Sequence, residues 1–300
     1  MTDLVTPFPV SVVGVGHMGG AMAQRLLALG WPVQVCDVRP ERLQALASFG
    51  AVGHVQPSVV AINSVVCIVA VVDAAQTEAV LFGPHGLSPA MTVGSVVMLC
   101  PTLAPEDVEA FARRLASFGL HAVDAPMSGG PVRALDGSMS LMVACARPVF
   151  ERYQALFDAL SSRVFHVSER VGDGARTKLV NNLAAAINLV GAAEVLVMAQ
   201  KMGLDPSRTL DVIEQSSGQS WIGSDRMRRA IAGDYAPRAH LTLLQKDTRL
   251  AVAAAQAAEF VGPLGASTRD VFASASAAGL GALDDAALFD WLGRGPRIKP

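Results

Sequence analysis

A glycine-rich turn near the start of the chain constrains the fold more than any other feature. Gly14, Gly16 and Gly19 follow an apolar run, residues 9–15, and open a stretch, residues 18–29, whose apolar positions recur at helical spacing. A strand, a tight turn and a helix in this order are the context that a dinucleotide-binding fingerprint requires. The first glycine permits the turn, the second lets the backbone approach a pyrophosphate, and the third allows the helix to pack closely on the strand.

An acidic residue follows this turn at the distance that the same fingerprint requires. Asp37, 21 residues after Gly16, ends the predicted second strand, where its carboxylate can accept hydrogen bonds from the adenosine ribose. That carboxylate repels a 2′-phosphate and so favours NAD, but Arg39 and Arg42 soften the repulsion and keep NADP as an alternative. An ordinary turn with a strand-capping aspartate is the competing interpretation. The predicted cofactor-binding residues of this part are Gly14, Gly16, His17, Met18, Gly19, Asp37, Val38 and Arg39.

Strand-like and helical segments alternate through the first half of the chain. Apolar, β-branched runs predict further strands, and amphipathic stretches between them predict helices. The strands are predicted at residues 33–36, 65–72, 93–99 and 120–123, and the helices at residues 40–48 and 105–118. Such alternation is typical of a doubly wound parallel sheet of the Rossmann type.

The pattern changes after about residue 167, where strand signals stop and long helical segments begin. We therefore predict an α/β domain at residues 1–170 that binds NAD and an all-helical domain at residues 171–300 for substrate binding and dimerisation, joined by a long helix. Residues 174–202 are apolar nearly all round, which predicts that other helices or a second subunit cover them. A homodimer or homotetramer is expected on this ground.

Composition and charge exclude several other classes of protein. The net charge of -2 provides no basic field for nucleic acid or for an anionic membrane surface. Asn and Glu side chains within the longest apolar run, residues 179–199, make a simple membrane span too costly. Residues 1–10 lack the pattern of a secretory signal and the cysteines lack zinc or redox spacing, so we expect a cytoplasmic protein with reduced thiols. No His, Asp or Glu cluster has ligand spacing, so no metal is predicted.

A short loop after the last predicted strand of the α/β domain is a candidate substrate site. Ser128, Gly129 and Gly130 lie where the strand beginning near Leu120 ends, and ligands of open α/β sheets bind outside such ends. A hydroxyl and the backbone N–H groups of two glycines could together hold a carboxylate. By itself, a Ser-Gly-Gly sequence is more often only a turn.

A lysine near the start of the long apolar helix is the candidate acid/base. Lys178 and Asn182 are four residues apart, a spacing that puts both side chains on one helix face. Burial would lower the pKa of a lysine toward the range useful for proton transfer. Asn182 could then hold either the amine or a substrate hydroxyl in position. The alternative is that Lys178 reaches solvent from the first turn of the helix.

Three motifs in this order, with a late Lys246-Asp247 pair, resemble the β-hydroxyacid dehydrogenase family, the 3-hydroxyisobutyrate dehydrogenase-like enzymes. The motifs are the glycine turn, residues 124–137 and residues 172–182, and the resemblance spans essentially the whole chain. It implies that Lys178 is the catalytic acid/base, and that Asn182 completes the catalytic site.

The same resemblance implies roles for further residues. The residues from Ser128 to Gly130 would bind the substrate carboxylate, and Thr102 and Lys246 would contact the cofactor. Pro101 stands where the family usually has a serine before the threonine, which removes one hydroxyl from the region of the nicotinamide. The decarboxylating 6-phosphogluconate enzymes carry a histidine at the position of Asn181, and imine reductases usually lack the lysine, so both are disfavoured.

Less general stretches resemble the sugar-acid branch of the family. They are Ala74-Ala75-Gln76, Val80-Leu81-Phe82-Gly83, Ser220-Trp221, Gly233-Asp234-Tyr235 and the segment from Ala277 to Asp285. The resemblance therefore implies hydride transfer between NAD and a small hydroxycarboxylic acid, with a four-carbon sugar acid favoured. Substrates such as 3-hydroxyisobutyrate or the tartronate and succinate semialdehydes are alternatives, and a non-catalytic dinucleotide sensor is the alternative from a different class. Trp221 could line the pocket, lie at a subunit interface or simply pack at a helix end.

Overall fold

The computed structural model describes residues 7–295 of the chain. It divides into two units, Met1–Lys178 and Leu179–Pro300. This division falls inside a long helix. The sequence predicts the domain boundary a few residues earlier, between residues 170 and 171, and the predicted boundary stays a prediction.

Short strands build the sheet of the first unit, and those at its centre are fully buried. The strands within the described residues are β1 (Val10–Val13), β2 (Val33–Cys36), β3 (Val52–His54), β4 (Val66–Val69), β5 (Val96–Leu99), β6 (His121–Asp124), β7 (Met127–Ser128), β8 (Ser140–Ala144) and β9 (Arg163–Ser168). Every residue of β1, β4 and β5 is buried, as expected for parallel strands covered on both faces. The strand order is β3-β2-β1-β4-β5-β6-β8-β7, with β9 beside β8.

Helices connect these strands. Those of the first unit are α1 (His17–Ala28), α2 (Pro40–Ala47), α3 (Pro57–Ala61), α4 (Ala74–Phe82), α5 (Pro105–Ser117), α6 (Gly130–Asp136) and α7 (Arg147–Leu160). α5 shows why such segments are helical, because Pro105 opens it, acidic residues occupy its first turn and Arg114 occupies its last. Its buried residues recur on one face, which packs into a core with β4 and β5.

The predicted Rossmann-type sheet followed by a helical domain is confirmed, with one difference in strand direction. The strands β1 to β6 are all parallel to their neighbours among themselves, but β8 runs antiparallel to β6 and β7. β3 and β7 to β9 are not predicted from the sequence, nor are α3, α4, α6 and α7. β3 is short and mostly exposed, so it lacks a clear pattern, whereas β8 is an apolar run whose signal is present in the sequence.

The second unit is helical. Its helices are α8 (Asp173–Lys201), which begins in the first unit, and then α9 (Pro206–Glu214), α10 (Trp221–Ile231), α11 (Leu241–Ala257), α12 (Pro263–Ala275) and α13 (Leu288–Gly293). The core of the unit includes Leu189, Leu196, Met227 and Phe272, all fully buried. This arrangement is the all-helical domain that the sequence predicts.

One face of α8 is exposed in the single chain. Val180 is 72% exposed and Met198 is 55% exposed, and a Cβ added to Gly191 would have no neighbouring atom within 4 Å among the described residues. The predicted cover on all sides is therefore not provided by this chain alone. In the part of the chain that the structure describes, α8 is also the helix that is long and apolar enough to cross a membrane, a test that the core helix of a soluble protein passes equally well.

The cysteines are free and buried, as the sequence predicts. Burial raises the pKa of Cys67 to about 11, and the Ser11 hydroxyl, which donates a hydrogen bond to its sulfur, opposes this rise. A thiol held protonated in this way is a poor nucleophile, so Cys67 behaves as a core residue.

Candidate active site

The glycine turn lies between the carboxyl end of β1 and the start of α1. Gly14 has a φ of +89°, and a Cβ on it would lie 2.8 Å from the carbonyl oxygen of Ala70. A Cβ on Gly19 would lie only 2.1 Å from the carbonyl oxygen of Gly14. Both positions therefore require glycine. The turn leaves the first N–H groups of α1 without helical partners, the arrangement that binds phosphate groups at a helix N-terminus.

Asp37 follows β2 at the same edge of the sheet and is 7% exposed. Its Oδ1 accepts a hydrogen bond from the backbone N–H of Arg39 at 3.0 Å, and its Oδ2 lies 3.5 Å from Nη1 of Arg42. The same Nη1 is 2.9 Å from the position that a Cβ on Gly16 would take. The Arg42 side chain thus bridges the space between the carboxylate and the glycine turn.

Further predicted cofactor residues stand in this turn or directly after Asp37. His17 is exposed and is the first residue of α1, Met18 follows it half-buried, and Val38 is 83% exposed. These features fit a nicotinamide dinucleotide. The glycine turn leaves room for the pyrophosphate, Asp37 stands at the sequence spacing of a ribose-binding carboxylate, and arginine side chains lie beside it. Thr102 lies half-buried beyond β5, at the carboxyl ends of the parallel strands where ligands of such sheets bind.

The predicted substrate loop is more regular than expected, because it contains β7 and α6. Ser128 is the last residue of β7 and is half-buried. Gly129 has a φ of +133° and Gly130 a φ of +77°, conformations that side chains disfavour. A Cβ on Gly129 would lie 2.9 Å from Cδ of Arg133. A side chain at Gly129 would therefore meet Arg133, whereas a Cβ on Gly130 would have no atom of the described residues within 4 Å.

Lys178 is buried, with 7% of its surface exposed. Its Nζ donates a hydrogen bond to the carbonyl oxygen of Met127 at 2.5 Å. The interpretation that this lysine reaches solvent is therefore wrong. The amine instead contacts the residue directly before Ser128, so the structure brings together the predicted acid/base and the predicted carboxylate-binding segment.

Asp124 is a residue of this region to which the sequence analysis assigns no role. It ends β6, is 1% exposed, and its Oδ2 accepts hydrogen bonds from the backbone N–H groups of Gly172 and Ala175, both at 2.9 Å. Burial raises the pKa of Asp124 to about 6, although these hydrogen bonds lower it. The available signal was an acidic residue at the end of an apolar strand.

Within the second unit, Asn182 and Asp247 form a buried pair. Nδ2 of Asn182 donates to Oδ2 of Asp247 at 2.6 Å, and Nδ2 of Asn181 donates to Oδ1 of Asn182 at 3.1 Å. Nζ of Lys246 lies 3.2 Å from Oδ1 of Asp247. These contacts fix the orientation of the Asn182 amide, and Asp247 is the member of this group that sequence reasoning named without giving it a role.

Trp221 begins α10 and is 49% exposed. The side chain of Ser220 caps this helix by accepting a hydrogen bond from the N–H of Gly223 at 3.1 Å. The indole at this helix start is therefore half-exposed and does not lie in the buried core of the second unit.

Comparison with known proteins covers both halves of the chain. Residues 9–168 match the family model for the NAD binding domain of 6-phosphogluconate dehydrogenase, and residues 172–292 match that for the NAD-binding domain of NADP-dependent 3-hydroxyisobutyrate dehydrogenase. The L-threonate dehydrogenase of Cupriavidus necator is 37% identical over 279 residues, which are 93% of this chain and 94% of the relative. That of Haemophilus influenzae is 32% identical over 288 residues, 94% of each chain.

One solved structure is similar to this chain along nearly the whole length of both. The crystal structure of a 3-hydroxyisobutyrate dehydrogenase from Salmonella typhimurium has a TM-score of 0.88 and 33% identity, and the match covers 94% of this chain and 99% of that one. Fold and matches together define an NAD(P)-dependent dehydrogenase that acts on a CH–OH group. Because both halves match in order over most of their length, the chain belongs to the β-hydroxyacid dehydrogenase family.

Proposed function

We propose that this enzyme oxidises a four-carbon sugar acid, with L-threonate as the leading candidate, and that NAD is the hydride acceptor. The observation that carries the proposal is the buried amine of Lys178, held 2.5 Å from the Met127 carbonyl beside Ser128. The named substrate of the Cupriavidus necator and Haemophilus influenzae relatives supports the choice of acid.

Lys178 is the acid/base in this proposal. Oxidation of a carbinol removes a hydride from carbon, which bound NAD accepts, and a proton from oxygen. Nζ of Lys178 takes that proton and returns it in the reverse reaction. The hydrogen bond to the Met127 carbonyl fixes the position of Nζ, because a buried amine with a short hydrogen bond has little freedom to move.

The remaining residues hold the substrate and the cofactor. Ser128 Oγ and the N–H groups of Gly129 and Gly130 bind the substrate carboxylate. Asn182 is one helical turn beyond Lys178. One N–H of its amide donates a hydrogen bond to Asp247, so the amide is oriented to donate its other N–H to a substrate oxygen.

The dinucleotide contacts follow the same edge of the sheet. The turn from Gly14 to Gly19, with His17 and Met18, would hold the pyrophosphate, and Asp37, Val38 and Arg39 the adenosine ribose. Thr102 and Lys246 would contact the nicotinamide half. Arg39 and Arg42 beside Asp37 keep NADP as a second cofactor.

Two alternatives remain distinct from this proposal. A branched hydroxy acid or a small semialdehyde is the alternative substrate, supported by the name of the Salmonella typhimurium structure. A non-catalytic dinucleotide sensor has less support, because a sensor has no use for an amine whose burial costs free energy.

A panel of hydroxy acids tests the reaction. We expect NADH formation with L-threonate, and kcat/KM at least about tenfold above that for 3-hydroxyisobutyrate and D-glycerate, since the binding of extra hydroxyl groups discriminates strongly. The measurement is absorbance at 340 nm with NAD and, in parallel, with NADP. Faster turnover of 3-hydroxyisobutyrate would make that acid, and not L-threonate, the better substrate assignment. A folded, NAD-binding protein that oxidises no acid would support the interpretation as a non-catalytic sensor.

We also propose that the enzyme is a soluble cytoplasmic homodimer or homotetramer in which α8 contributes to the interface. Its exposed face carries Val180, Val195 and Met198, and apolar surface of this extent favours a partner. Light scattering after size-exclusion chromatography is expected to give a multiple of 31.2 kDa. Met198→Glu is expected to lower that mass, while Val93→Glu, at a 76% exposed position of the first unit, leaves it unchanged. A wild-type monomer would contradict the proposal.

A further inference from the structure

The start of α8 has no capping side chain of its own. Gly172 precedes the helix with a φ of +101°, and helical residues begin at Asp173. The first N–H groups of a helix have no partners within it and are usually satisfied by a side chain at the capping position. Here the carboxylate of Asp124, from the end of β6, accepts from the N–H groups of Gly172 and Ala175 instead.

The same short segment contacts α8 a second time. Three residues after Ala175, Nζ of Lys178 donates to the carbonyl of Met127, which is three residues after Asp124. The segment of residues 124–127 therefore holds the first turns of α8 at two points, once through a side chain and once through the backbone. Any shift of the helix start along its axis would break both contacts together.

A glycine makes the first of these contacts possible. A Cβ on Gly174 would lie 2.8 Å from Cγ of Asp124 and 2.9 Å from its carbonyl oxygen. The helix thus approaches the carboxylate and the backbone of Asp124 more closely than any other residue type would allow.

We propose that Asp124 is a positioning residue for hydride transfer: its carboxylate fixes the start of α8 so that Nζ of Lys178 meets the Met127 carbonyl beside Ser128. The proposal rests on the assignment of Lys178 as acid/base. Burial raises the pKa of this carboxyl, so keeping it ionised at neutral pH costs folding free energy. A carboxylate retained at that cost is typical of a functional site.

An acidic residue in the first turn of α8 provides a matched control for Asp124. Asp173 is paired with Arg170 at 2.9 Å and with Arg176 at 3.1 Å, and both arginines are substantially exposed. Exposed pairs of this kind contribute little to holding a structure in place. Asp173→Ala is therefore expected to retain wild-type turnover.

The experiment compares Asp124→Ala, Asp124→Asn and Asp173→Ala in the full-length protein. For Asp124→Ala we expect kcat to fall about 100-fold with KM and the Kd for NAD nearly unchanged, because a displacement of about 1 Å costs that much in rate. Asp124→Asn is expected to keep most of the activity, since the amide oxygen accepts the same two hydrogen bonds. A helix cap that served stability alone would change Tm and leave kcat of the folded enzyme intact.

A second readout does not depend on turnover. The chain has four lysines, so the ¹³Cε-lysine NMR spectrum is simple, and Lys178→Arg identifies the Lys178 signal. We expect this signal to move in Asp124→Ala and to stay in place in Asp173→Ala. If the wild type oxidises no acid but the signal moves, the proposed reaction fails and the positioning of Lys178 stands.

Two results with the Asp124 variants would overturn the proposal. One is a folded Asp124→Ala protein with wild-type kcat and an unmoved Lys178 signal. The other is equal loss of turnover in Asp124→Ala and Asp124→Asn, which would mean that the negative charge and not the pair of hydrogen bonds matters. If Asp124→Ala does not fold, Gly174→Ala tests the same contact, because its Cβ displaces the carboxylate, and unchanged kcat in that variant would also contradict the proposal.

Discussion

Replacing Lys178 with alanine is expected to lower kcat by about 10²–10⁴-fold, the usual contribution of a positioned acid/base. The Kd for NAD should remain within about threefold of the wild-type value, because Lys178 lies on α8 and not on the glycine turn, and a threefold change corresponds to less than 1 kcal/mol. Steady-state rates with the best acid of the panel and NAD binding by calorimetry measure the two quantities separately.

Lys201→Ala is the matched control for this variant. Lys201 is the last residue of the same helix and is exposed, so its removal is expected to change neither rate nor binding. Lys178→Met adds a check on packing, since methionine keeps most of the buried stem without the amine. Wild-type turnover in a folded Lys178→Ala protein would remove the lysine from the mechanism and leave the sensor as the better interpretation.

Replacing Gly19 with alanine is expected to raise the Kd for NAD by about 100-fold, a loss of about 3 kcal/mol. The added Cβ would lie 2.1 Å from the carbonyl oxygen of Gly14, so the turn must open to admit it. Opening of the turn moves the backbone N–H groups that would hold the pyrophosphate, so the rate of hydride transfer is expected to fall as well. Calorimetric titration with NAD measures the effect, after circular dichroism has established that the variant is folded.

Gly20→Ala is the control for this second variant. Its Cβ would approach the carbonyl oxygen of Val15 at 3.3 Å, a contact that a movement of a few tenths of an ångström relieves. We expect NAD affinity within about threefold of wild type in this case. Equal affinities for NAD in Gly19→Ala, Gly20→Ala and the wild type would show that the glycine turn is not the pyrophosphate site.

The fold class could be predicted because its determinants are local. β2 is predicted to the residue, and α1 and α5 to within one residue of their observed ends, since each pattern of apolar residues is complete within its own segment. β3 could not be predicted in the same way, because it is mostly exposed and is held by its pairing with β2. The antiparallel direction of β8 likewise depends on pairing with distant strands.

The candidate site shows the same division. The spacing of Lys178 and Asn182 puts them on one helix face whatever the rest of the fold does. The partners of these residues could not be predicted, because Met127 is 51 residues from Lys178 and Asp247 is 65 residues from Asn182. Asp124 had no assigned role for the same reason, since its two backbone donors lie 48 and 51 residues away.

The sequence by itself determined the Rossmann-type class, the glycine turn and the choice of Lys178 as the candidate acid/base, because each depends on residue type and short-range spacing. It left open whether that lysine reaches solvent or is buried. Only the tertiary structure decided that Lys178 is buried against the Met127 carbonyl, and that Asp124 caps the helix that carries it. The physical reason is that burial and hydrogen-bond partners are set by segments far apart in the chain, which meet only when the end of β6 packs against the first turns of α8.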